Sequence, residues 1–170
     1  MINSILRYTA IFIALILVQL LLFNNIQFSG FVNPYVYVMI ILLLPVTLPS
    51  WLVLIVSFMA GLIVDLFSGS PGMHASATLA AGFSRPFVLR FISPRDGYDS
   101  GAGLSMTSYG FRWFLLYTAT IVIIHHTVLF YLEVFRFTDF FRTLFRVILS
   151  SSVTIGFILL VESYRRQRQR

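Results

Sequence analysis

The sequence predicts an all-α integral membrane protein, with six transmembrane helices in one bundle. Three observations predict it. The 170 residues are 58% hydrophobic and 16% aromatic but only 11% charged, against about 25% charged in an ordinary soluble domain. From Tyr8 to Ser84 the one formally charged side chain is Asp65. The apolar residues gather into six runs, and a helix needs about 20 of them to cross a hydrocarbon core of roughly 30 Å. A soluble domain could not stay dispersed with so little charge or hide that much apolar surface in one core. The composition excludes a soluble enzyme, a disordered chain and a secreted disulfide scaffold. The absence of cysteine removes disulfides, thiolate metal sites and cysteine nucleophiles.

The first run, residues 8–23, has no small-residue cleavage site after it and reads as a retained helix rather than a signal peptide. Pro34 opens the second, 35–48, which is short and interrupted by Pro45, so it is expected to kink or to sit partly re-entrant. Pro49-Ser50 turns the chain into the third run, 51–67, with Trp51 at an interface position. The stretch SGSPG from Ser68 to Gly72 is a loop by its turn residues. The fourth run, 75–92, is rich in small residues and carries Arg85, Pro86 and Arg90. A polar, Gly/Ser-rich segment from Ser93 to Gly110 leads to the fifth run, 111–132, and the sixth is 144–161. There is no internal repeat, and residues 1–170 form one domain.

Six helices put both termini on one side. Placing them inside gives that side Arg7, Arg85, Arg90, Arg95, Arg112, Arg165, Arg166, Arg168 and Arg170, and leaves Arg136, Arg142 and Arg146 outside. The excess of basic residues on the inner side predicts cytoplasmic termini. The pI near 10.2 is thus a matter of orientation in the lipid bilayer, and no nucleic acid is implied. The tail YRRQRQR lies against anionic head groups as a stop-transfer segment; a protein-docking tail is the other reading.

Ser57, Gly61, Asp65 and Gly69 recur every four residues and share one helix face. Small stripes let helices approach closely in lipid. A carboxylate in that stripe must face the bundle interior or a cavity. The plainer reading has Asp65 capping or hydrogen-bonding the glycine loop after it; a ligand or ion site is the alternative. On the fourth helix His74, Thr78 and Gly82 share a face. A depth difference of about 11 Å, at 1.5 Å per residue, argues against an Asp65–Arg85 pair. Arg85 is expected to snorkel toward the cytoplasmic head groups, and Asp65 to pair with His74. In the fifth helix, adjacent His125 and His126 point about 100° apart, so only one faces the interior. With Thr118, His125 suggests a polar lining in the outer half. They make a weak metal site, lacking an i,i+4 partner; interhelical hydrogen bonds are the better reading. Phe137, Phe140, Phe141, Leu144 and Phe145 lie opposite Asp139, Arg142 and Arg146. That pattern reads as an amphipathic elbow in the interface or as a docking ridge for a partner.

No catalytic constellation is present. A serine enzyme needs a nucleophile and base held together, whereas Ser150-Ser151-Ser152 reads as helix packing. An aspartyl protease needs two carboxylates sharing a proton, and the apolar runs hold one Asp. There is no P-loop or dinucleotide fingerprint, and Arg95–Gly103 (RDGYDSGAG) lacks the ligands of a metal or phosphate site. The chain therefore reads as a scaffold or binding component, with no cofactor and no metal.

The segment GLIVDLFSGSPGMHA resembles the signature region of the MreD family of rod shape-determining membrane proteins. Gly61, Asp65, Gly69, Pro71, Gly72 and Ala75 stand in the family's places; Met73, where Leu is common, is a mild departure. The segment NPYVYVMIILLLP and the HH of the fifth helix resemble members from Bacteroidetes-like bacteria. The resemblance implies a non-enzymatic part of the cell-elongation machinery in the cytoplasmic (inner) membrane. Its partners would be MreC, the actin-like MreB and the peptidoglycan synthases of elongation. It also implies a fold similar to the substrate-binding S-components of energy-coupling-factor vitamin transporters. The alternative function is accordingly a solute-binding subunit of such a transporter, with its pocket near Asp65, His74 and His125.

Overall fold

The computed structural model describes residues 2–25, 32–99, 103–134 and 139–167, and among them every regular element is helical. The long helices are α1 (Ile2–Leu21), α3 (Ser50–Ser68), α4 (Met73–Phe91), α6 (Phe111–Val134) and α7 (Phe140–Gln167), with short α2 (Met39–Leu43) and α5 (Met106–Tyr109) between them. Among the described residues three helices, α3, α6 and α7, are long and apolar enough to cross a membrane, rather than six. Leu6–Leu21 of α1 is a shorter apolar helix. Helix α4 equals α3 at 19 residues but is built of small residues with a proline and two arginines.

The second run is shorter than the expected 35–48 and breaks just before Pro45: a 3₁₀ turn (Val36–Val38) runs into α2, and the chain leaves the helix at Leu44. Leu44 precedes Pro45, whose ring disfavours the helical basin for the residue before it; Leu44 is extended, at φ −58° and ψ 142°. Eight helical residues span about 12 Å at 1.5 Å each, well short of a membrane. Every residue from Val36 to Leu44 is buried. A helix apolar all round needs apolar cover on every side, and α1, α3, α4 and α6 all pack against this segment.

The closest helix pair is α3 with α4, packed antiparallel through the two predicted small stripes. A Cβ on Gly61 would meet the His74 carbonyl oxygen, Thr78 Oγ1 at 2.5 Å and Ala75 Cα at 2.6 Å. A Cβ on Gly82 would meet the Ser57 hydroxyl oxygen, and Ser57 Cβ at 2.8 Å. Helix α4 also packs on α6, and α6 on α7, each pair again antiparallel: Trp113 Nε1 donates to the Ile92 carbonyl at 2.9 Å, and Arg146 meets Glu133 at 3.0 Å. The sixth helix is longer than 144–161, because α7 absorbs the expected elbow as its first turns. The elbow's aromatic side faces outward as predicted at Phe140, Phe141 and Phe145, while Phe137 lies outside the described residues. Arg146 turns inward instead, onto the face of the Phe130 ring at 4.3 Å.

The described residues between α4 and α6 fold back over the end of the bundle where α4 finishes and α6 begins. Tyr98 donates to the Leu89 carbonyl at 2.7 Å, and the Met106 N–H donates to Oε1 of buried Glu162 at 3.3 Å. Tyr109, Trp113 and Tyr117 stack in a row beside it.

Gly61→Ala is expected to lower the thermal unfolding midpoint in detergent, by an overpacking cost of about 1–3 kcal/mol, since the His74 carbonyl and Ala75 Cα that it meets are α4 backbone and cannot swing away. Gly156→Ala, whose Cβ would meet nothing within 4 Å, should be neutral or stabilising by up to about 1 kcal/mol. Equal midpoints for the two variants would refute the close approach.

Candidate functional site

Asp65 ends one helix and starts the next. Its carbonyl accepts the N–H of Gly69, which is left-handed at φ 64° and closes α3. Its buried carboxylate reaches over to α4. Oδ1 accepts the His74 N–H at 2.9 Å and the Ser70 hydroxyl at 3.0 Å, and Oδ2 accepts the Ala75 N–H at 2.9 Å. The first N–H groups of a helix have no partner within it. The residue at the α4 cap, Gly72 at φ 83°, has no side chain to offer. The anion from α3 fills that role where the helix dipole favours it. Of the readings open for Asp65, the geometry is the cap. The expected Asp65–His74 pair forms through the His74 backbone, not its ring. Pro71 completes the turn between the two left-handed glycines, at its exposed surface.

The His74 ring points instead to Tyr37, which lies in the turn before α2. The fully buried Tyr37 hydroxyl contacts His74 Nδ1 at 3.1 Å, Thr78 Oγ1 at 3.3 Å and His125 Nε2 at 2.8 Å. One proton assignment satisfies all three contacts. Thr78 gives its own proton to the His74 carbonyl, so its oxygen must accept from Tyr37. The phenol has one proton and two lone pairs, so both imidazoles must then donate to it. Each neutral ring then keeps a bare acceptor nitrogen: Nε2 on His74 and Nδ1 on His125. His125 Nδ1 is indeed buried without a partner, and so is Thr118 Oγ1, two turns along the same helix.

His126 is buried as well, against the expectation that only one histidine faces inward. Helix α6 is covered on two sides: His125 faces Tyr37, while His126 Nε2 meets Thr154 Oγ1 of α7 at 3.2 Å. Thr154 and Ser150 also take the backbone N–H groups of Tyr35 and Asn33, at 3.1 and 3.2 Å. The Tyr35 ring covers this layer edge-on, 5.0 Å from His74 and 5.6 Å from His126.

Arg85 departs from expectation too. It does not snorkel; it is buried, with Nε donating to the Tyr117 hydroxyl at 3.0 Å and Nη2 to the Leu44 carbonyl and, at 3.3 Å, the Pro45 carbonyl. The cation thus caps the C-terminal end of α2, where the dipole favours it. As expected, its partners do not include Asp65.

Beside the Tyr35 layer opens a cavity of about 920 Å³. Leu17, Leu20 and Leu21 of α1 and Phe67 of α3 form one wall; Tyr35, Met73 and His74 lie on another; Glu133, Asp139, Arg142 and Arg146 stand on a third. Phe140 and Phe141 are not among its lining residues. They sit on the outer surface of α7, with Phe141 83% exposed. The groups of three or more His, Cys, Asp or Glu that could hold a metal are absent among the described residues.

Tyr37, Gln19 and Glu133 escaped the sequence reading, which had Arg146 only as an outer-side charge opposite the aromatic ridge. Gln19 had a signal, as the one polar residue between Ala14 and Phe23; it is fully buried and donates to Asn24 Oδ1 at 3.1 Å and the Pro34 carbonyl at 3.3 Å. Tyr37 had none, because a tyrosine in an apolar run reads as core. Comparison of the chain with protein-family models, with curated proteins and with solved structures finds no match.

Asp65→Asn puts an amide N–H against a backbone N–H, and is expected to cost about 1.5–3 kcal/mol, the range for hydrogen bonds to charged groups. A thermal midpoint equal to wild type would contradict the capping role. Tyr37→Phe leaves two buried imidazole donors unpaired, at about 1–3 kcal/mol. Nitrogen NMR of labelled histidines should show His74 protonated at Nδ1 and His125 at Nε2 in the wild type, with both assignments lost in the variant.

Proposed function

We propose that this chain is a multi-pass membrane protein of the cytoplasmic membrane, and that it works by holding partners rather than by transforming a substrate. In this reading it is a scaffold of the bacterial cell-elongation machinery, as members of the MreD family are, binding an MreC-like protein, actin-like MreB and the elongation peptidoglycan synthases. The observation that carries the reading is that Gly61, Asp65, Gly69 and Gly72, the residues of the family-like motif, all build the α3–α4 hairpin. A motif that makes a tight antiparallel pair is what a load-transmitting helical frame requires.

Membrane residence is supported by three helices of spanning length and apolarity and by large apolar side chains exposed along them, such as Ile55, Phe58, Leu66, Ile148 and Leu160. In lipid these need no further cover, whereas a soluble monomer rarely exposes so much. The path is then six passes, the second being the 3₁₀ turn and α2, buried inside the bundle, with the Leu44–Pro49 link leading out of it. The arginine count, even with Arg85 set aside as buried, favours both termini in the cytoplasm. The cavity and the exposed Phe140 and Phe141 then face the outer side.

One observation favours a second reading. The cavity has the size of a small-molecule site, 300–1,000 Å³, and His74 lines it. That suits the solute-binding subunit of a vitamin-type energy-coupling-factor transporter.

Co-expression with an MreC-like protein and affinity purification from membranes separates the two. The scaffold predicts co-purification that drops at least tenfold in the Phe140→Ala/Phe141→Ala double variant, since truncating buried aromatic anchors costs about 2 kcal/mol or more. No co-purification, together with a vitamin that raises the unfolding midpoint by several degrees, would replace the scaffold with the transporter subunit.

A further inference from the structure

Resting on the membrane reading, we infer that the cavity at the α3–α4 turn is a site for a phospholipid whose head is a zwitterion with a primary amine. At about 920 Å³ the cavity is of small-molecule size. A head group with the start of its acyl chains fits.

The walls select the chemistry. Leu17, Leu21 and Phe67 present an apolar side that is itself exposed on the bundle surface, so a chain leaving the cavity continues into the surrounding hydrocarbon. The lining also carries two carboxylates, Glu133 and Asp139, and two guanidiniums, Arg142 and Arg146. That set is neutral. A purely anionic head would meet both carboxylates, and a purely cationic one both guanidiniums. A phosphate linked to an ammonium offers each sign its complement.

Two atoms sharpen the choice. Arg146 already donates to Glu133 at 3.0 Å, and to Asn33 at 2.9 Å with that amide oriented to accept, yet its Nε is buried with no acceptor. The guanidinium thus keeps hydrogen-bonding capacity that the protein does not use. On the adjoining wall the proton assignment around Tyr37 leaves His74 Nε2 a bare acceptor, which calls for a hydrogen-bond donor from whatever fills the space. A primary ammonium carries three N–H donors, whereas a quaternary one carries none. The phosphate belongs with Arg142 and Arg146, and the ammonium with Glu133, Asp139 and His74.

Native mass spectrometry tests this on the full chain, delipidated in mild detergent and then offered phosphatidylethanolamine, phosphatidylcholine, phosphatidylglycerol or free phosphoethanolamine. Phosphatidylethanolamine should be retained at least fivefold over the other two lipids, and free phosphoethanolamine in excess should not displace it. Asp139→Asn, at an exposed position, and Glu133→Gln should each cut the preference below twofold with the unfolding midpoint of Asp139→Asn unchanged. A preference for phosphatidylglycerol, equal retention of all lipids, no retention, or a preference intact in both variants overturns the inference. Displacement by phosphoethanolamine overturns the lipid as its source. Alkaline carbonate washing of the expressing membranes keeps the two readings apart: release of the chain refutes membrane residence, while a chain that stays in the membrane without lipid preference refutes only the site.

Discussion

The fold hangs on one carboxylate. Asp65 lies in the last turn of α3, yet its oxygens hold the first free N–H groups of α4. That places the start of α4 against the end of α3, at a separation which Gly61 and Gly82 permit and which any side chain there would widen. Once α4 is set in this register, His74 and Thr78 face Tyr37, and Arg85 faces Leu44 and Tyr117. The buried α2 segment is thus held at both ends by α4, and α6 closes over it through His125 and Tyr117.

The bundle deals with its two buried formal charges on α3 and α4 in one way. Neither Asp65 nor Arg85 is matched with an opposite ion. Each is set against the end of a helix whose dipole and unpaired backbone groups complement it, the anion at the start of α4 and the cation at the end of α2. Isolated charges in an apolar interior are prohibitively costly unless they are paired or richly hydrogen-bonded. Backbone ends supply that bonding with no second ion to desolvate. The neutral Tyr37 layer lies between, with Arg85 eleven residues beyond His74 on α4, or about 16 Å.

Much of this was legible in the sequence. The four-residue spacing of Ser57, Gly61 and Asp65, and of His74, Thr78 and Gly82, marked the two faces that meet. The turn residues of Ser68–Gly72 marked the hairpin. What stayed hidden depended on the short second run. Its shortness and Pro45 marked it as kinked or partly re-entrant, but only packing shows that protein wraps it. Arg85 was misread, its snorkelling argued from depth in lipid when the end of α2 offers it carbonyls nearer at hand. Burial of both His125 and His126 was likewise hidden, because one face per helix is a fair rule only for a helix with one neighbour.

The capping of α2 by Arg85 also carries a consequence for the order in which the chain is made. The segment from Val36 to Leu44 emerges from the ribosome about forty residues ahead of Arg85, and further still ahead of His125. Until those arrive, its last carbonyls and the Tyr37 hydroxyl have no partner, and its helix is too short to rest across a bilayer unaided. The contacts that hold this segment therefore come from helices synthesised after it, so the middle of the bundle depends on the later parts of the chain.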